Sequence, residues 1–107
     1  MNTTENNKLI AEFLNCKQDG NGQYLIPNWG WDKVENLKFD SDWNWLMEVV
    51  EKIETMGFIV DLKGTNGKIT HRKNKDVEII ELGENRIAGA YNVCLSFVKW
   101  YNFLKQK

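Results

Sequence analysis

The sequence predicts an α+β fold: a three-stranded antiparallel β-meander packed against helices, in the order α-α-β-β-β-α. Apolar residues recur at helical spacing over residues 43–53 and again over 87–104. Between them, residues 58–82 hold short apolar or alternating runs separated by turn formers. Helical and strand runs are thus segregated along the chain, which favours helices laid on an antiparallel sheet over an alternating parallel one. The length of 107 residues, with 42% hydrophobic and 27% charged side chains, suits a single domain spanning 1–107. Such a domain can bury a core without metal or disulfide staples.

The first helix is expected over residues 8–14, where Leu9, Ile10, Phe13 and Leu14 share a face. Asn15 and the run Asp19-Gly20-Asn21-Gly22 end it. Residues 23–39 are mixed and aromatic and read as irregular or short-stranded. Asp40, Ser41 and Asp42 are alternative N-caps for the second helix, whose stripe is Trp43, Leu46, Met47, Val50 and Ile53. Trp45 falls on another side of that helix and must find a second neighbour or the surface. Gly57 ends it. Phe58, Val60 and Leu62 alternate with Ile59, Asp61 and Lys63 as a strand, and Gly64-Thr65-Asn66-Gly67 supplies an Asn-Gly pair for a tight turn. Residues 68–72 and 77–82 are the return and third strands. The last helix, 86–105, is apolar over half its circumference, as contact with both a sheet and another helix requires. Asn92, Ser96 and Lys99 mark its wet side, with Phe103 among them. The core is expected to join Trp43, Leu46, Val50, Cys94, Phe97 and Tyr101.

Several chemistries are set aside. A net charge of −1 gives no overall attraction to nucleic acid or acidic membranes. The polar start lacks the apolar region of a secretion signal, and no apolar run is long enough to span a bilayer, so the cytoplasm is the expected location. Two cysteines, one histidine and no Cys-x-x-Cys leave no structural zinc set, and no cofactor or metal is expected. Asp40-x-Asp42 could ligate a metal, but helix capping accounts for both. Glu54 falls inside the apolar stripe near a negative helix end, so a basic or backbone-donor partner is expected. His71 has no nucleophile or carboxylate beside it in a recognisable pattern, and no catalytic residues are assigned. Gly64-x-x-Gly67 matches the KH-domain loop as a string, yet lies between strands rather than helices. Gly67-Lys68 lacks the upstream glycine and following Ser or Thr of a phosphate-binding loop.

Two surface features remain. Lys63, Lys68, Arg72, Lys73 and Lys75 form a basic hairpin able to lie along phosphates, or simply to keep an exposed sheet edge soluble. Five tryptophans in 107 residues are unusual. Core packing accounts for Trp43 and Trp100. Trp29 and Trp31 share a face if extended, forming either an aromatic contact patch or a lid over the core. Trp29, Trp31, Trp45 and Phe103 are the candidate partner-binding residues.

Trp43-Asn44-Trp45-Leu46-Met47-Glu48-Val49-Val50-Glu51-Lys52-Ile53-Glu54 resembles a motif in small uncharacterised proteins of Bacteroidota phages and prophages. There the run typically reads Trp-Asp-Trp-Leu-Met-Pro-Val-Val-Glu-Lys-Ile-Glu. The likeness extends to Asn7-Lys8-Leu9-Ile10-Ala11-Glu12-Phe13, Tyr91-Asn92 and Phe97-Val98-Lys99-Trp100-Tyr101-Asn102, while Asn44 and Glu48 depart from it. The resemblance implies a phage or mobile-element setting and carries no activity. Small accessory proteins in that setting often bind a host protein or nucleoprotein, including components of defence systems such as CRISPR–Cas. The expected function is therefore a non-enzymatic, partner-binding accessory protein, with nucleic-acid binding through residues 63–75 as the alternative. An enzyme ranks last, because no nucleophile–base or metal set is visible.

Overall fold

The computed structural model describes residues 3–26, 30–74 and 76–105. Helix α1 (Thr3–Phe13) is followed by a hairpin of β1 (Gln23–Ile26) and β2 (Gly30–Lys33), a short 3₁₀ turn (Val34–Asn36) and helix α2 (Trp43–Thr55). Strands β3 (Phe58–Lys63), β4 (Asn66–His71) and β5 (Glu78–Leu82) then form an antiparallel meander, and helix α3 (Arg86–Lys105) closes the described chain. The class is α+β and the meander stands as expected. The order differs, because residues 23–26 and 30–33 pair as a separate two-stranded sheet between the first two helices.

Local chemistry explains that insertion. Asn15 adopts φ 60°, and the amides of Asn15 and Cys16 donate to the carbonyls of Glu12 and Ala11, closing α1 with a left-handed cap. Asp19 Oδ1 accepts from the amides of Asn21 (2.7 Å) and Gln23 (3.1 Å), turning the chain into β1. Tyr24 and Ile26 on one face of the hairpin are buried in the core. The same cluster takes in Ile10 and Phe13 of α1, Leu37 and Phe39 before α2, and Leu46, Val50, Phe58, Ile69, Cys94 and Phe97.

Of the three alternative N-caps of helix α2, Asp42 takes the role: its Oδ1 accepts from the Asn44 amide at 2.8 Å. Its phase is a correction. Trp45, Leu46, Val49, Val50 and Ile53 are buried, whereas Trp43 and Met47 are 42% and 40% exposed. The buried face is rotated by roughly 70° from the expected stripe, at about 100° per residue. Phe39 decides the phase: it is fully buried and stands edge-on to Trp45 at 5.3 Å, giving that indole a partner from outside the helix. The rotation also moves Glu54 out of the apolar stripe to an exposed position, so the expected buried partner is not needed.

The turn between β3 and β4 is a second correction. Lys63 pairs with Asn66 and Leu62 with Gly67, so Gly64-Thr65 is the turn and Asn66-Gly67 belongs to β4. Gly64 at φ 57° takes the left-handed first position, as a two-residue hairpin with Gly leading requires. Gly67 serves packing instead, since a β-carbon there would collide with the Val93 side chain.

Candidate interaction surface

Helix α3 lies over β4 and β5, and α2 packs against β3, so one sheet face is covered. Strand pairing in register sorts the side chains. Phe58, Ile69 and Ile79 turn toward the helices, while Ile59, Lys68, Ile80 and Leu82 turn to the open face. At the end of the sheet nearest the C-terminal turns of α3, the covering is incomplete. A groove of about 440 Å³ opens there, lined mainly by Met56, Phe58, His71, Val77, Trp100 and Leu104. Its floor is an aromatic cluster: Phe58 meets His71 edge-on at 4.9 Å, Phe97 at 4.8 Å and Trp100 at 5.9 Å. Leu104, 44% exposed, stands at its helical end.

His71 shapes the opposite lip. Its Nδ1 accepts from the amides of Lys73 (3.1 Å) and Asn74 (3.0 Å), which assigns the ring proton to Nε2 and holds the turn after β4. The histidine is thus a turn-forming residue. Asp40 is also structural, although not as a cap. Its Oδ1 accepts from Asn7 Nδ2 at 3.0 Å, the same nitrogen donates to the Leu37 carbonyl at 3.0 Å, and Asn7 Oδ1 accepts from the Tyr91 hydroxyl at 2.9 Å. Burial, with the nearby Asp40 carboxylate, pushes the Tyr91 hydroxyl pKa above its ordinary value. No cluster of His, Cys, Asp or Glu suited to a metal ion occurs among the described residues. Burial alone pushes the Cys94 thiol up to about 12, and raises that of Cys16.

The predicted contact residues scatter. Trp45 is 3% exposed, which corrects its assignment to a partner surface: the Phe39 contact draws it into the core. Trp31 is 50% exposed on the outer face of the first hairpin, opposite Leu25. Trp29 lies outside the described residues. Phe103 is at the surface as expected, but its side of α3 is less wet than expected. Asn92 Nδ2 donates to the Leu82 carbonyl at 2.9 Å, and Ser96 Oγ to Glu81 Oε2 at 2.8 Å, so this side faces β5.

The basic residues do not gather into one patch. Lys63 ends β3 at the Gly64 turn, whereas Arg72 and Lys73 follow β4 at the other end of the sheet. A six-residue strand separates them, roughly 20 Å. Between them Lys68 forms an ion pair with Glu78 at 3.2 Å and stands opposite Asp61. Lys75 lies outside the described residues. The chain matches no family model, no curated protein and no solved structure.

What sequence reasoning missed is the groove. Phe58, Trp100 and Tyr101 were assigned to helix and strand cores, and the Met56–Leu104 rim joins segments nearly half the chain apart. The Asn7–Asp40–Tyr91 network escaped for the same reason.

Proposed function

We propose that this chain is a non-enzymatic accessory protein that binds a host protein or nucleoprotein, with bacterial defence complexes such as CRISPR–Cas effectors as the target class. The observation that carries the reading is the groove between the β4–β5 turn and the end of α3. It is concave and almost wholly apolar, with exposed Leu104 at its helical end and exposed Phe103 next to Leu104 in the sequence. An aromatic floor rimmed by aliphatic groups is the composition of a protein-contact pocket, into which a partner inserts an apolar anchor. The phage or mobile-element setting rests on the resemblance of the Trp43–Glu54 motif and sets the class of target. The alternative, nucleic-acid binding through Lys63, Lys68, Arg72, Lys73 and Lys75, has less support. Its charges stand at opposite ends of the sheet and its central lysine is ion-paired.

Affinity purification of the full chain from bacteria that carry it tests the reading. Leu104→Glu places a charge on the groove rim, and Phe103→Ala removes a ring that is more than half exposed. Each should leave unfolding within about 0.5 kcal/mol of wild type. Leu104→Glu should weaken partner capture about tenfold or more, and Phe103→Ala by about 1 kcal/mol. Capture unaffected by both changes would move the site away from the groove. Retention of nucleic acid alone, lost steeply with added salt, would favour the basic hairpin.

A further inference from the structure

We propose that β5 is the seam of a homodimer, pairing antiparallel with β5 of a second copy so that two meanders become one continuous sheet. The sheet order β3-β4-β5 leaves β5 at an edge. Hydrogen bonding shows which of its peptide groups face outward. The His71 amide donates to the Val77 carbonyl (3.3 Å) and the Gly83 amide to the Thr65 carbonyl (3.0 Å). In an antiparallel ladder alternate residues bond to the same neighbour. Val77, Ile79, Glu81 and Gly83 therefore face β4, and Glu78, Ile80 and Leu82 direct their N–H and C=O groups away from it. The Asn92 side chain donating to the Leu82 carbonyl agrees with that direction.

Exposed edges in natural sheets are blunted by lysine, proline or a bulge. Strand β5, Glu78-Ile79-Ile80-Glu81-Leu82, has no lysine, proline or bulge, and its pairing with β4 runs without interruption; its two charges are engaged within the chain, Glu78 by Lys68 and Glu81 by the Ser96 hydroxyl. Its Ile80 and Leu82 are instead 53% and 66% exposed.

Self-complementarity identifies the occupant as a second copy. With Ile80 opposite Ile80 across a two-fold axis, each outward-bonding Glu78 faces Leu82, and on the helix side each Ile79 faces Glu81. No like charges stand opposite one another. Glu78 is already neutralised by Lys68 in its own chain, and the Leu82 carbonyl keeps a second lone pair for the new ladder. The exposed Ile80 and Leu82 of both copies then form one apolar strip.

The helices also fit. Helix α3 lies over β4 and β5, about one strand spacing (~4.8 Å) from the axis. The two copies of α3 then stand roughly 10 Å apart, the ordinary distance between packed helices. The sides brought together carry the short side chains of Asn92 and Ser96, already bonded to β5, and farther along Lys99 and Phe103.

The test measures the mass of the full chain by light scattering or sedimentation over roughly two decades of concentration. A species of twice 12.5 kDa is expected to grow with concentration. Ile80→Lys sets two ammonium groups face to face across the axis and should raise the dimer Kd about tenfold or more. Ile59→Lys changes an equally exposed residue on the same sheet face but on the other edge strand, and should leave the Kd unchanged. Amide exchange of the unaltered protein gives an independent readout: the Ile80 and Leu82 amides should slow as concentration rises. A monomer throughout, a dimer indifferent to Ile80→Lys, exchange at Ile80 independent of concentration, or equal disruption by Ile59→Lys would each overturn the proposal.

Discussion

Asn7 is a buried polar side chain at 2% exposure, and its environment shows how a single residue can tie distant segments together. Its amide donates to Leu37 and Asp40 and accepts from Tyr91, so α1, the loop before α2 and α3 are joined through one group. Among the described residues no buried side-chain nitrogen or oxygen is left without a partner, so the network is complete. Completeness makes it sensitive, because deleting one member strands the others in a low-dielectric interior. Asn7→Ala should cost about 2–3 kcal/mol in chemical or thermal unfolding. Tyr91→Phe, which leaves the Leu37 and Asp40 bonds intact, should cost less. Equal stability of Asn7→Ala and wild type would mean that water replaces the amide at no cost. The position was not legible in the sequence, where Asn7 sits in a polar run and its partners are 30, 33 and 84 residues away.

At the scale of elements, the contact between α3 and the meander depends on the absence of side chains. Gly67, Gly83 and Gly89 meet where α3 crosses the β3–β4 turn and the end of β5. A β-carbon on Gly89 would collide with the Thr65 backbone carbonyl, and one on Gly83 with the backbone of α3. Two effects compete at Gly89. Helix propensity alone favours Gly89→Ala by about 1 kcal/mol. The collision is with backbone, which cannot rotate away, and overpacking of that kind costs about 1–3 kcal/mol or more. Gly89→Ala is therefore expected to destabilise the protein in an unfolding titration; a gain in stability would show that the helix shifts freely on the sheet. The phase of α2 teaches a related lesson. Trp43 with Met47 and Trp45 with Val49 both offer apolar faces, so periodicity alone left two solutions. Glu54 was the legible clue, because the phase that placed it in the stripe carried a buried acid with no partner in sight.

For the molecule as a whole, the aromatic core sets the behaviour. Phe97 touches Phe13, Phe58, Trp100 and Tyr101, linking α1, β3 and α3 through one ring. Three residues before it lies Cys94, fully buried, with its thiol raised from 9.0 to about 12. The consequence for stability has a definite sign. Between those two values the unfolded chain has lost the thiol proton while the folded chain keeps it, so unfolding is increasingly favoured as pH rises. The contribution is fully present below about pH 9 and is lost progressively up to about pH 12. Tyr91, also raised by burial, adds to the same limb. Stability measured by denaturant titration should fall over that range, and Cys94→Ala should flatten part of the slope. An unchanged slope in the variant would assign the alkaline loss elsewhere.

The α+β class, the meander of three strands, a cap for α2 among residues 40–42 and the long, broadly apolar α3 were legible without the structure. Each follows from local chemistry: period, turn residues and capping groups act within a few positions of one another. The candidate site was less legible. Phe103 was placed at the surface because it interrupts a polar side of its helix, and that reading holds at 57% exposure. Trp45 lies in the core, against its reading as a contact residue, and neither the groove nor the exposed β5 edge is legible in the sequence. These were decided by tertiary structure alone. Phe39 chooses the buried face of α2 from outside the helix, glycines 67, 83 and 89 set how closely α3 approaches the sheet, and sheet order determines which strand is left at an edge. All three depend on contacts between elements distant in the chain, where propensity and periodicity carry no information.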